Sequence, residues 1–183
     1  WTDSTAIIDT CNNTLEDSPL IGKTNPILHF FGKLVEDYAD EWLWRPAMHY
    51  RWSYKEDALM VGTYLANTTL RDMFIPQWVK RFLMTQRQYQ NYVAGDGVNE
   101  ETRTHCESIY LRNLKFLEQI LASGHRFLLG DKPSTVDFAF MASMHNHFFK
   151  DVTPRKIMFE TSPNVYAWVK RMNKSRKSDF KDC

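Results

Sequence analysis

Apolar residues recur at threes and fours along most of this 183-residue chain, and that period predicts helices. From Pro26 onward, Ile27, Phe30, Phe31, Leu34, Val35, Tyr38 and Trp42 line one face, with Glu36, Asp37, Asp40 and Glu41 opposite. Pro46 is expected to interrupt this helix near Trp44, inside an aromatic and basic cluster running from Trp42 to Trp52. Residues 55 to 69 predict a second helix. A third opens at Pro76 and stops at Gly95-Asp96-Gly97; a fourth, capped by Asn99, ends at Gly124. A short helix near residues 155 to 159 precedes a last one carrying Val165, Trp168, Val169 and Met172. At the amino end, residues 3 to 11 offer one or two helical turns behind a cap-like Asp3-Ser4. A linker punctuated by Pro19, Gly22 and Pro26 follows. No segment alternates as a strand, so the expected class is all-α.

The most heavily specified stretch is Gly130-Asp131-Lys132-Pro133-Ser134-Thr135-Val136-Asp137. Gly130 tolerates positive φ, and Pro133 fixes φ just ahead of the helix. The Ser134 hydroxyl can accept the Asp137 amide while the Asp137 carboxylate reaches back to the Ser134 amide, a shortened capping box. The helix behind it, about residues 134 to 148, is apolar on nearly every side and is expected to be surrounded by other elements.

Composition narrows the function classes. Aromatics make up 14% of the chain, with 6 Trp, and promise a large core. The 23 basic and 22 acidic residues leave a net charge of +1, which argues against nucleic acid or an acidic membrane surface as the main partner. No apolar run reaches bilayer length, so no membrane association is expected. Cys11, Cys106 and Cys183 are widely spaced and form no zinc or redox pattern, so free thiols in a cytoplasmic setting are expected. The chain opens on Trp1 and is expected to be part of a longer protein.

Phe127-Leu128-Leu129-Gly130 through Asp137-Phe138, then Ser162-Pro163-Asn164-Val165-Tyr166-Ala167-Trp168, resemble the helical half of the glutathione S-transferase superfamily. The stretch from Leu34 to Trp42, ending in His49-Tyr50-Arg51-Trp52, looks like a bacterial-type subgroup. The resemblance covers about residues 26 to 172 and implies an all-α bundle around the buried central helix. It divides the chain into residues 1–17 as the tail end of a thioredoxin-like domain, 18–25 as linker, 26–172 as helical domain and 173–183 as tail. It also implies a homodimer joined through the first helices of the helical domain.

Thr2-Asp3-Ser4-Thr5 resembles the family's acidic-Ser motif. That likeness implies that Ser4 and the helix start hold the γ-glutamyl carboxylate of glutathione while Asp3 meets its ammonium; a plain helix cap is the alternative. Trp42, His49, Tyr50, Arg51 and Trp52 are candidates for the second-substrate pocket, with interhelical core as the alternative. Ser134 and Asp137 are assigned a folding role. No catalytic residue is identified. The acidic set on the first long helix is expected to be a solvated face, and His145 and His147 lie roughly 200° apart on a helix, unsuited to a shared metal. The implied function is glutathione-dependent conjugation or reduction of a small apolar electrophile, with glutathione as substrate and no metal. The alternative is a non-catalytic binding or dimerisation module of the same superfamily.

Overall fold

A computed structural model describes residues 4–14 and 25–176. It contains α1 (Ser4–Thr14), α2 (Pro26–Trp42), α3 (Trp44–Ser53), α4 (Lys55–Thr69) and α5 (Gln77–Tyr89), the last continued by a π-helix at Gln90–Ala94. Then come α6 (Arg103–Ala122) and α7 (Thr135–Ser143), which runs into a second π-helix at Met144–Phe149. The chain closes with α8 (Val152–Thr161) and α9 (Pro163–Lys174). Among the described residues the sole β-type pairing is an isolated bridge between Phe127 and Gly130. The class is all-α. The expected linker lies largely outside the described residues, as does most of the tail.

Local chemistry accounts for most boundaries. Asn25 Oδ1 accepts the amides of Ile27 at 3.0 Å and Leu28 at 3.2 Å, and Pro26 fills the first helical position, where no amide donor is needed. Pro46 cannot donate to the carbonyl four residues back, so the α2–α3 pair breaks at Leu43. The cluster beyond the break is itself helical over ten residues. At α6 the expected cap moves: Asn99 Oδ1 accepts the amides of Glu101 and Thr102 in a preceding turn, and the helix starts at Arg103.

The core is one continuous cluster whose largest sealed side chains include Trp168, Tyr50, Tyr110, Phe127 and Phe148. Helix α7 sits within it, buried through Val136, Ala139 and Phe140. It is not enclosed on every side as its composition suggested, because Phe138 is 42% exposed. The last two helices take their N-terminal caps from elsewhere in the chain. Asp57 of α4 accepts the amides of Val152 and Thr153, and Glu118 of α6 accepts those of Asn164 and Val165, both at 3.0 Å. Each carboxylate thus meets both orphan amides and the positive end of a helix dipole.

The Ser134–Asp137 box forms as the sequence implies. Asp137 Oδ2 accepts the Ser134 amide at 2.9 Å and its hydroxyl at 2.6 Å. Both side chains are fully buried. No helix among the described residues is long and apolar enough to cross a membrane.

Candidate functional site

The sequence-derived candidates separate in space. Asp3 lies outside the described residues, and Ser4 is the first residue of α1. Helix α1 is tied to α2 by Lys33, whose Nζ lies 2.8 Å from Asp9 and 2.9 Å from Glu36. Burial works against the Lys33 charge, but these two carboxylates outweigh it and raise its pKa above the usual lysine value. Glu36 is only 5% exposed, so the acidic face of α2 is not wholly a solvated one.

The five residues proposed for the second-substrate pocket fall on different faces of α2 and α3. A helix turns about 100° per residue, so four consecutive residues cannot share one wall. Trp42 closes α2 and is half exposed. His49 and Tyr50 point into the core. His49 Nε2 is 2.9 Å from Glu107 Oε1 while its Nδ1 is 2.9 Å from Ser53 Oγ, and the Tyr54 hydroxyl donates to the same Glu107 oxygen at 2.8 Å. Burial disfavours a charged Glu107, yet its hydrogen bonds with His49 and Tyr54 and the nearby charge of Arg103 lower its pKa overall. Tyr50 stacks on Tyr54 at 5.3 Å and meets Tyr110 edge-on, and burial drives its hydroxyl pKa strongly upward.

Arg51 and Trp52 border a cavity of about 630 Å³, Trp52 while also packed in the core. Trp44, Met48, Arg51 and Trp52 stand at i, i+4, i+7 and i+8 along α3 and form one wall. Met60 and Tyr64 of α4 form the second. The two π-helices complete it, one through Tyr92 and the other through His147. A π-turn places more residues in each turn than an α-turn, and such segments are frequent at functional sites. The size suits a small organic ligand.

Polar groups gather at one end of this cavity. Arg51 Nε donates to Asp151 Oδ2 at 2.8 Å, and its Nη2 donates to Asp151 Oδ1 at 3.0 Å and to the Asn146 carbonyl at 2.9 Å. Burial pushes the Asp151 carboxyl above its usual range, and Arg51 only partly offsets that. His147 stands edge-on to Trp44 at 5.8 Å. Burial, reinforced by the positive charges of Arg51 and Lys150, lowers its pKa to about 4, so the ring is neutral near pH 7. Two buried side-chain atoms among the described residues have no hydrogen-bond partner, Trp52 Nε1 and His147 Nδ1, and both residues border this cavity. Sequence reading missed His147 and Lys150 as neighbours of Arg51, because about a hundred residues separate them.

A second cavity, of about 460 Å³, lies between α2, α6 and the link before α7. Its walls are almost wholly apolar, with Phe31, Val35, Phe116 and Phe140 among them. Beside it α2 exposes Ile27, Phe30 and Leu34, each more than half open to solvent. Cys11 is exposed and Cys106 is buried. Burial, with the negative Glu107 beside it, raises the Cys106 thiol to about 11, which makes it a poor nucleophile near neutrality. Cys183 lies outside the described residues. Among them, no cluster of His, Cys, Asp and Glu is arranged to hold a metal ion.

Comparison with known proteins bears on the carboxyl-terminal part of the fold. The family model for the glutathione S-transferase C-terminal domain matches residues 75–175, more than half of the chain. The matched span runs from α5 to α9 and includes the Ser134–Asp137 box and Trp168; α3 and its cavity wall lie before it. No curated protein and no solved structure matches the chain. With an all-α fold organised around a capped central helix, and with that match over more than half its length, the chain belongs to the glutathione S-transferase superfamily, whose C-terminal domain it carries.

Proposed function

We propose that this chain serves glutathione-dependent conjugation or reduction of a small electrophile in the intact protein. The observation that supports the reading most is the aromatic-walled cavity beside Arg51 and Trp52, found in a chain that belongs to this superfamily. In conjugation, the glutathione thiolate forms a carbon–sulfur bond to the electrophile while the leaving group departs with its electron pair. Ser4 and the positive end of α1 hold the γ-glutamyl carboxylate, and Asp3 meets the γ-glutamyl ammonium. The cavity takes the apolar co-substrate. The protein acts in the cytoplasm as a homodimer in which the exposed Phe30, Phe31 and Leu34 of α2 are covered.

The half-exposed aromatic row on α2 also favours a second reading, in which the domain is a non-catalytic dimerisation or binding module. One experiment separates the two. The full-length protein is incubated with glutathione and 1-chloro-2,4-dinitrobenzene, and separately with glutathione and a hydroperoxide. Conversion of either substrate above the uncatalysed rate is expected. No conversion of either, together with no retention on immobilised glutathione, would select the non-catalytic module.

A further inference from the structure

Helix α5 is oriented against the usual rule for which residues are covered. It buries only Lys80 and Met84, while Trp78 is 66% exposed, Phe82 57%, and Leu83 lies open beside them. Lysine is among the side chains least often buried, and tryptophan is usually well covered. Lys80 Nζ donates to the Arg71 carbonyl at 3.3 Å, which ties α5 in this orientation to the turn from α4. That turn carries Met73 and a wholly exposed Phe74. Leu59 of α4 borders the same shallow groove as Trp78 and Phe82, so the exposed side chains form one patch along the α4–α5 hairpin. A contiguous apolar patch of this kind marks an interaction surface.

The charges beside the patch select what covers it. Between Ala58 and Gly95 the chain carries Arg71, Lys80, Arg81 and Arg87 against Asp72 alone, a local excess that the near-balance of the whole chain conceals. At about 100° per residue, Arg81 falls to one side of the Trp78–Phe82 stripe and Arg87 to the other. Neither is ion-paired to any described residue. Two copies meeting through this face would bring the arginines together, and like charges across an interface oppose binding. A protein mate would need a hollow shaped for the protruding Phe74, whereas lipid closes around whatever enters it. An outward apolar stripe with arginines on its flanks, their stems along the apolar surface and their heads in water, is the pattern of a helix lying in a membrane interface. Such a helix rests on the bilayer and does not have to cross it.

We propose that the α4–α5 hairpin docks the protein on an anionic lipid surface, with Phe74 and Trp78 entering at headgroup level and Arg81 and Arg87 against the negative headgroups. The expectation of no membrane association rested on the length of apolar runs and on the charge of the whole chain, and neither measures a local patch. The inference takes nothing from the glutathione reading and stands or falls without it.

The test is co-sedimentation of the full-length protein with two kinds of vesicle, phosphatidylcholine alone and a two-to-one mixture of phosphatidylcholine with phosphatidylserine. The mixed vesicles are expected to bind about tenfold more tightly, since each arginine near an anionic surface adds to the attraction. Raising the salt to about 0.5 M should erase that preference by screening. Arg81→Gln with Arg87→Gln should erase it too, while leaving the weaker binding to phosphatidylcholine unchanged. Phe74→Ser with Trp78→Ser should lower affinity for both vesicles about tenfold or more, since both lose the inserted side chains. All four positions lie at the surface of the hairpin, and circular dichroism confirms that each variant folds; should the paired variants fail, Phe74→Ser alone, at a wholly exposed position, decides. No sedimentation with either vesicle, equal binding to the two, or binding untouched by Phe74→Ser would overturn the proposal. Self-association in sedimentation velocity that Phe74→Ser abolishes, with vesicles ignored, would also overturn it and make this face an interface between copies.

Discussion

Trp168 Nε1 donates to Asp137 Oδ1 at 2.9 Å, and the Leu128 amide donates to the same oxygen at 2.9 Å. The other carboxylate oxygen is taken by Ser134. One buried carboxylate therefore joins the turn before α7, the start of α7 and the middle of α9. Four donors to a single charged group offset the cost of burying it.

Asp137→Ala is expected to cost more than about 2 kcal/mol, because it leaves the Leu128 amide and the Trp168 indole N–H without their acceptor. Trp168→Phe should cost about 2 kcal/mol, and the double variant should show coupling of about 1 kcal/mol. Urea unfolding of the three variants measures this. Additive losses would mean that the indole bond contributes nothing of its own.

The Arg51–Asp151 pair should behave differently when one member is removed than when both are. Asp151 is 1% exposed, and its raised pKa means that burial outweighs the attraction to Arg51. Asp151→Ala strands a largely buried guanidinium and should cost about 3 kcal/mol or more. Arg51→Met with Asp151→Leu should recover most of that loss in equilibrium unfolding. A double variant no better than the single one would show that the pair stabilises the fold.

His147 sets a pH dependence. The unfolded ring titrates near 6.5 and the folded ring near 4. Between those values the unfolded chain holds more protons, so its contribution makes stability fall as pH drops from 6.5 toward 4 and level off below. His147→Gln should flatten the slope of unfolding free energy over that window. An unchanged slope would place the titration elsewhere.

Helices α2 and α7 approach closely at Gly32, where an added Cβ would lie 2.8 Å from Thr135 Oγ1. Gly32→Ala should cost about 1 kcal/mol net, the crowding exceeding the gain in helix propensity. Adding Thr135→Ala removes the crowding oxygen and should restore stability in thermal unfolding. Failure to restore it would show that the backbone, not that oxygen, limits the approach.

Much of this architecture was legible from local patterning. The period of the apolar residues marks α4 at Lys55–Thr69, and spacing alone reveals the Ser134–Asp137 box, since its partners are three residues apart. What connects distant residues was not legible. Nothing near Asp137 points to Trp168, 31 positions later, and the caps lent by Asp57 and Glu118 come from 95 and 46 residues away. The π-helices also escape notice, because over five or six residues their period is too close to that of an α-helix to separate. The cluster from Trp42 to Trp52 looked like one pocket because its residues are contiguous. Helical geometry sends His49 and Tyr50 into the core, turns Arg51 toward the cavity, and leaves the buried Trp52 bordering both.

The proposal that the protein depends on glutathione is tested most directly by calorimetric titration of glutathione into the full-length protein and its Ser4→Ala variant. Losing the hydroxyl donor to the γ-glutamyl carboxylate should weaken affinity about tenfold, while the unfolding midpoint stays within the small change expected of one helix-terminal substitution. Glutathione affinity unchanged by Ser4→Ala, or no measurable binding to the unaltered protein, would contradict the account.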